Sequence, residues 1–515
     1  MRRTVSCRGA ARVAAAALLC AVSACDLAPD YQPPHYVLPD SYTGTAPFTV
    51  ARPGEADAHA AWWTGFGDPT LDRLETLATA NNPSLQAIAE QYTQARDLAA
   101  EARADLFPQF SAGGTTSESK RSAGRPFPGT SNGGNIAALN QIQASASWEP
   151  DFWSRIRNQT RTQKRLAQAS AADLASARLS LQSELAQDYI ALRGVETEMA
   201  VYRQSIQFYE NAVRITTLRL QGLIASGLDV ARAQSQLSAA QALLTDAEAN
   251  RGILVHAIAV LVGADPITFQ LPTGSVDDLR VAAVPAQVPS ALLQRRPDIA
   301  AAERRMAAAN SAIGISRAAF YPDISISALG GFQDTGFSLA SLPNSIWSIG
   351  ASAVLPLFEG GLRRAELQRA WSQYAQQRDQ YRATILQAFR EVQDGLLQST
   401  QLATETRQQQ NAVQAAEKAQ DITLRLYTGG LTNYLDALVA QVTALSARIA
   451  LVEVQTRQLQ ARVSLAAALG GGWSAASLPT EDAVLPFNPI APLTGHDREP
   501  RPDGTGEPSA PRPGG

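Results

Sequence analysis

The sequence predicts a mainly α-helical chain of two tandem repeats, each with one β-hairpin and a set of long coiled-coil helices. Proline placement is the first observation that predicts it. Pro83 and Pro108 stand 25 residues apart, and so do Pro297 and Pro322, with no proline inside either interval. The stretches from Pro150 to Pro266 and from Pro356 to Pro479 are also free of internal proline. Helix interiors exclude proline, because its ring clashes with the preceding turn and a hydrogen bond is lost. Local identity is the second observation. Asn82-Pro83-Ser84-Leu85 matches Arg296-Pro297-Asp298-Ile299 at an offset of 214, and Leu228-Asp229 matches Leu435-Asp436 at 207. Self-similarity at a fixed period marks a repeated structural unit. The third is alternation: Ile324, Ile326 and Ala328 share one face while Ser325 and Ser327 share the other, the pattern of a strand.

The elements follow in order. Residues 1–24 form a signal peptide: Arg2, Arg3, Arg8 and Arg12 precede the apolar run Val13–Val22, and small Ser23 and Ala24 close it. Val22-Ser23-Ala24-Cys25 reads as a bacterial lipobox, whose cysteine carries acyl chains such as palmitate. Each buried CH₂ of such a chain contributes about 0.8 kcal/mol of membrane affinity. Asp26 follows, a residue that in enteric bacteria favours retention at the inner membrane. Residues 25–69 read as a lipidated, extended segment. The first repeat spans 70–265. Asn82 caps a helix with Pro83 at its first position, running to about Asp105. A hairpin covers about 107–150, with a Gly- and Ser-rich loop at Lys120–Gly134. A helical pattern then runs from about Ser154 to Gln221, turns at Gly222–Gly227 and returns to about Val262. After a linker at 266–288, the second repeat spans 289–473. Its hairpin covers about 321–357, its long helix about Leu362–Thr428, its turn Gly429–Asn433, and its return helix ends near Leu469. At 1.5 Å per residue each long helix extends roughly 100 Å, which implies coiled-coil packing. The tail 474–515 is rich in Pro, Gly and charge and reads as disordered.

Composition narrows the function classes. Forty-four basic and 47 acidic residues leave a net charge of −3, without the basic face that nucleic-acid binding requires. Cys25 is the one cysteine beyond the signal peptide, so the mature chain has no internal disulfide and no thiolate metal site. No nucleophile motif, phosphate loop or convergent acid–base set is present, so no enzyme, cofactor or metal is expected. The strands match a tilted membrane crossing of about 10 residues. Open sheet edges do not exist in lipid, and four strands per chain cannot close a barrel. Three chains would supply 12 strands, an even number within the known range. The same hairpins also permit a small soluble sheet. The helices, rich in Ala, Gln and Arg, suit a hollow helical barrel, but pattern alone does not separate this from a filled rod.

Pro289-Ser290-Ala291-Leu292-Leu293-Gln294-Arg295-Arg296-Pro297-Asp298-Ile299, continuing to Ala318-Ala319-Phe320-Tyr321-Pro322, is the most specific stretch of the chain. With Trp62-Trp63, Phe66 and Asp68-Pro69 near the start and Leu469-Gly470-Gly471-Gly472-Trp473 near the end, it resembles the outer membrane factor family. These are the TolC-like export channels, here in the NodT-type lipoprotein branch. The resemblance covers about Ala28–Trp473. It implies a homotrimer with a 12-stranded β-barrel in the outer membrane, continued by an α-helical barrel through the periplasm. It further implies a passive efflux duct for drugs and toxic compounds, fed by an inner-membrane pump through a periplasmic adapter. The alternative is a lipid-anchored periplasmic coiled-coil scaffold or adapter without a barrel.

The resemblance also assigns candidate residues. Gly222-Leu223 and Gly430-Leu431 match the family's tip motifs and are expected to contact the adapter, although glycine also ends helices as a plain cap. Tyr434, Leu435 and Asp436, with Leu228 and Asp229 in the first repeat, match the segment that closes the pore. Leu435 is the expected apolar gate ring. The two aspartates equally suit a helix N-terminus. Where relatives carry a further aspartate, four residues after the gate leucine, this chain has Val439. Cys25 is the expected anchor in the outer membrane lipid.

Overall fold

A computed structural model describes residues 26–34, 36, 61–120, 136–280, 293–336 and 341–485. The signal segment, Cys25 and most of the loop at Lys120–Gly134 lie outside the described residues. Helices α1 (Pro69–Asn81) and α2 (Pro83–Ala104) lead into strands β1 (Gln109–Lys120) and β2 (Ile136–Trp148). Then come α3 (Arg155–Gln221) and α4 (Gly227–Leu261). The second repeat supplies α5 (Pro297–Ala318), β3 (Asp323–Asp334), β4 (Ser345–Val354), α6 (Leu362–Thr428) and α7 (Tyr434–Ala468). The repeats agree in length: α2 and α5 have 22 residues each, α3 and α6 have 67, and α4 and α7 have 35.

The four strands form one antiparallel sheet in the order β1-β2-β3-β4. Each hairpin carries the same cross-strand pair: Ser111 and Ser145 hydroxyls lie 2.8 Å apart, as do those of Ser325 and Ser352. Trp148 opposes Ile326 where the two hairpins meet. Among the described residues, neither outer edge, that of β1 or that of β4, has a strand partner.

Asn82 and Arg296 occupy equivalent positions and do equivalent work. Asn82 Oδ1 caps α2 by accepting from the Leu85 N–H at 2.9 Å, and its amide donates to Leu261 O at the end of α4, also at 2.9 Å. Arg296, ahead of α5, donates to Ala468 O at the end of α7 at 3.0 Å and pairs with Asp298 and Glu391. In each repeat two shorter helices therefore meet end to end beside one long helix. Small residues let the columns approach closely. A Cβ added at Gly395 on α6 would stand 3.2 Å from Leu465 of α7.

The main core lies where α1 packs on α3. Leu71, Leu74 and Ala78 meet Leu185, Tyr189 and Ile190, with Trp62, Trp63 and Phe66 behind them. Leu271, Val276 and Leu279 complete this core. The described part of the expected linker at 266–288 is therefore a packed element, closed by a capping box at Ser275. Its polar residues hid that role in the sequence. The tail also needs correction, because it is not free from 474. Gln168 donates to Pro479 O at 2.8 Å, Arg96 donates to Val484 O at 3.1 Å, and Val484 is fully buried. The composition of 486–515, outside the described residues, masked this docked segment. The N-terminal segment forms a strap across both repeats. Asp26 accepts from Asn158 at 2.9 Å and Arg161 at 2.7 Å, Asn310 donates to Pro29 O, and Tyr31 donates to Glu303.

Glu75 faces this core from α1 and is fully buried. Neither carboxyl oxygen has a hydrogen-bond partner among the described residues. Burial, aided by the nearby Asp72 charge, pushes its pKa from the ordinary 4.5 up to about 9. The folded state thus holds a proton that the unfolded chain releases. Stability is highest below pH 4.5 as far as this group is concerned, and falls as pH rises towards about 9. Thermal unfolding at pH 5 and pH 8.5 checks it: Glu75→Gln should flatten the decline seen in the parent.

Candidate functional site at the helical tips

The helices α3 and α4, and likewise α6 and α7, are joined by short turns at the end of the molecule remote from the sheet. Both turns have the same hydrogen-bond pattern. Ile224 N–H donates to Arg219 O at 2.8 Å, and Leu431 N–H donates to Leu426 O at 2.9 Å. Leu223 N–H donates to Leu220 O, and Gly430 N–H to Tyr427 O, both at 3.0 Å. This is the helix-ending motif that places one residue in the left-handed region. That residue is Gly430 in the second tip, with φ +75°, and Leu223 in the first, with φ +58°. The structural register therefore pairs Gly222 with Gly429 and Leu223 with Gly430, one residue away from the match of the two Gly-Leu pairs. The glycine of the shared dipeptide therefore serves different positions in the two turns.

A left-handed leucine costs about 1–2 kcal/mol, and Leu223 recovers none of this through burial, being 93% exposed. Strain that persists without a packing reason is a pointer to function. Leu223→Gly should raise the melting temperature, with a gain of about 1 kcal/mol, while removing the most exposed apolar side chain of the tip. Ile224, Leu228, Leu431 and Leu435 are also exposed. Contiguous exposed apolar groups mark interaction surfaces.

The expected gate residues divide. Leu435 and Leu228 are 44% and 56% exposed, Asp436 is exposed and Asp229 is half-buried. Tyr434 is not at the surface. It is 2% exposed among Ala212, Ala233 and Ala437, with its ring 5.4 Å from that of Tyr427. Its place on the inner face of the helix pair, one residue before Leu435, gives it a packing role, and burial pushes its phenol up to about 12. Both aspartates lie in the first turns of α4 and α7, where the helix dipole favours a negative charge. Asn433 Oδ1 accepts from the Asp436 N–H at 3.1 Å, and the Thr432 hydroxyl donates to the Asp436 carboxylate.

Sequence reasoning missed Arg219. From the end of α3 its Nη1 donates to Tyr427 O at 2.7 Å and Thr428 O at 3.3 Å. Its guanidinium lies 4.7 Å from the Tyr427 ring centre. It thus caps the C-terminus of α6 and ties the first tip to the second. An arginine near a helix end is so ordinary a complement to the dipole that nothing distinguished it. No group of three or more metal-ligating side chains occurs among the described residues.

With this geometry in hand, comparison with known proteins is specific. The family profile described as "Outer membrane efflux protein" matches residues 74–264 and 288–471. The pyoverdine export outer membrane protein OpmQ of Pseudomonas aeruginosa is 31% identical over 433 residues, covering 83% of this chain and 90% of OpmQ. The outer membrane protein OprJ of the same species is 30% identical, covering 90% of this chain and 96% of OprJ. Among solved structures, the outer-membrane channel OprN superposes with a TM-score of 0.81 at 27% identity, over 87% of this chain and 100% of OprN.

Proposed function

Because this chain belongs to the outer membrane efflux protein family, we propose that it is the outer-membrane duct of a tripartite efflux system. It passes small molecules, such as drugs and toxic compounds, outward from an inner-membrane pump and a periplasmic adapter. It does no chemistry of its own. Three copies close the sheet into a 12-stranded barrel, and Cys25, acylated, anchors each copy in the outer membrane. The observation that carries this reading is the sheet: membrane-length strands with two unpaired edges, rooted on helices of 67 residues. Unsatisfied backbone groups cost several kcal/mol each in lipid, so the edges must find partners, and copies of the same chain supply them. The periplasmic tips then bear the gate, with Leu435 and Asp436 facing the axis and Leu228 and Asp229 beside them. The turns at Gly222-Leu223 and Gly430-Leu431 meet the adapter.

The purified protein in planar bilayers tests this. We expect discrete conductance steps, rare or small in the parent and larger in Leu435→Ala, where the apolar constriction is trimmed. Bilayers that stay silent with both proteins would contradict the duct.

A further inference from the structure

The seam between the two repeats is a template for the seam between two copies. Within the chain, the root of β2 covers the root of β3. Trp153 stacks on Tyr321 with ring centres 4.6 Å apart, and its Nε1 donates to Pro322 O at 2.9 Å. Together they wall a cavity of about 410 Å³ at the sheet's base. The equivalent root after β4 lends Pro356 and Arg363 to the same cavity, while its two large apolar side chains stay exposed. Pro150 corresponds to Pro356 and Phe152 to Phe358 at an offset of 206, while Phe107 and Pro108 correspond to Tyr321 and Pro322 at 214. Leu357 and Phe358 are 90% and 91% exposed, and Phe107, at the root of the opposite edge strand, is 46% exposed. The second root is also one residue longer. Left-handed Ser154 stands four residues after Pro150, and left-handed Gly361 stands five after Pro356. That extra length gives the loop reach, and its tip holds two large apolar side chains where the first repeat has Asp151 and Phe152.

We propose that Leu357 and Phe358 seat on the partner's Phe107 and the partner's Pro108, closing the seam between copies with an apolar contact at the level where Trp153 meets Tyr321 within the chain. The proposal rests on the ring of copies inferred above. It adds that the chain has two kinds of seam, one polar-anchored within the chain and one apolar between chains. The between-chain contact lies at the strand roots, where the helices begin, and so also fixes how the barrel meets the helical wall.

The test uses the full chain, extracted from membranes, with Phe107→Cys and Phe358→Cys together. Cys25 is the one other cysteine beyond the signal peptide, and acylation removes its thiol. A disulfide needs Cβ atoms about 3.5–4.5 Å apart. Oxidation should shift the double variant on denaturing gels to species of two and three linked chains, and neither single variant should shift. Phe358→Cys with Ser117→Cys, far up β1, should also stay unlinked. A native mass of three chains without linkage at 107 and 358, or with linkage at 117 instead, overturns this contact and leaves the ring standing. A native mass of one chain for the parent overturns the ring itself.

Discussion

Replacing Glu196 with alanine should lower the stability of the folded chain by about 3–5 kcal/mol, the cost of stranding buried charges. Glu196 sits midway along α3, with its side chain 3% exposed. One carboxylate oxygen accepts from Arg193 and from the Gly274 N–H at 2.9 Å, and the other accepts from Arg251 at 2.8 Å. Arg193 also donates to Pro272 O at 2.8 Å and to the Tyr189 hydroxyl at 2.6 Å, and Tyr189 donates to Asp68. One carboxylate thus holds α3, α4, the 266–280 segment and the start of α1 in one network. Without it, two guanidinium groups and a backbone N–H lose their acceptor together, and Arg193, at 4% exposure, cannot recover it from water. Thermal unfolding followed by circular dichroism reads the loss. Glu196→Gln should lose less, because its amide oxygen still accepts one of the bonds. Removing both partners, as Glu196→Leu with Arg193→Leu, should recover part of the stability, since no charge then remains unpaired at that point. An unchanged melting temperature in Glu196→Ala would refute the assignment.

Arg219→Ala is the second large effect, and its readout is conductance. The contact joins the two tips of one chain through charge-assisted bonds to Tyr427 O and Thr428 O and through the Tyr427 ring. A bond to a charged group is worth about 1.5–3 kcal/mol and an exposed cation–π contact about 0.5–1 kcal/mol. After allowance for solvent at this half-exposed site, a loss of about 2–3 kcal/mol shifts a two-state tip roughly thirty- to 150-fold towards the separated form. Conductance of the purified protein should rise accordingly. Arg219→Lys should fall between, because lysine keeps the charge but lacks the planar fork that bonds and stacks at once. A folded Arg219→Ala protein with parental conductance would show that the two tips are held by something else.

The repeat was legible in the sequence because proline and helix length are backbone matters. Pro83 and Pro297 announce helices of equal length, and Asn82 announces its own capping bond. The second bond of Asn82, to Leu261, was not legible, because it depends on where α4 ends in space. Arg296 shows the same limit: an arginine before a proline does not say which carbonyl it reaches. At the tips, the glycines marked both turns, but the left-handed leucine was not legible, since backbone φ at Leu223 is set by the turn's closure and not by residue preference. Tyr434 lies beside Leu435 in the chain but on the other face of the helix, a difference of about 100° per residue that the motif does not express. Segments 266–280 and 474–485 looked like linker and tail because their apolar residues are few. Four of those few, Leu271, Val276, Leu279 and Val484, are nonetheless buried.

The central claim is that three copies close one barrel in the outer membrane. The native mass of the protein extracted from separated outer membranes tests it most directly. The account predicts the mass of three chains, found in that fraction. A single-chain mass in the inner-membrane fraction would contradict it, leaving the edges of β1 and β4 without partners and favouring a lipid-anchored scaffold sorted by Asp26.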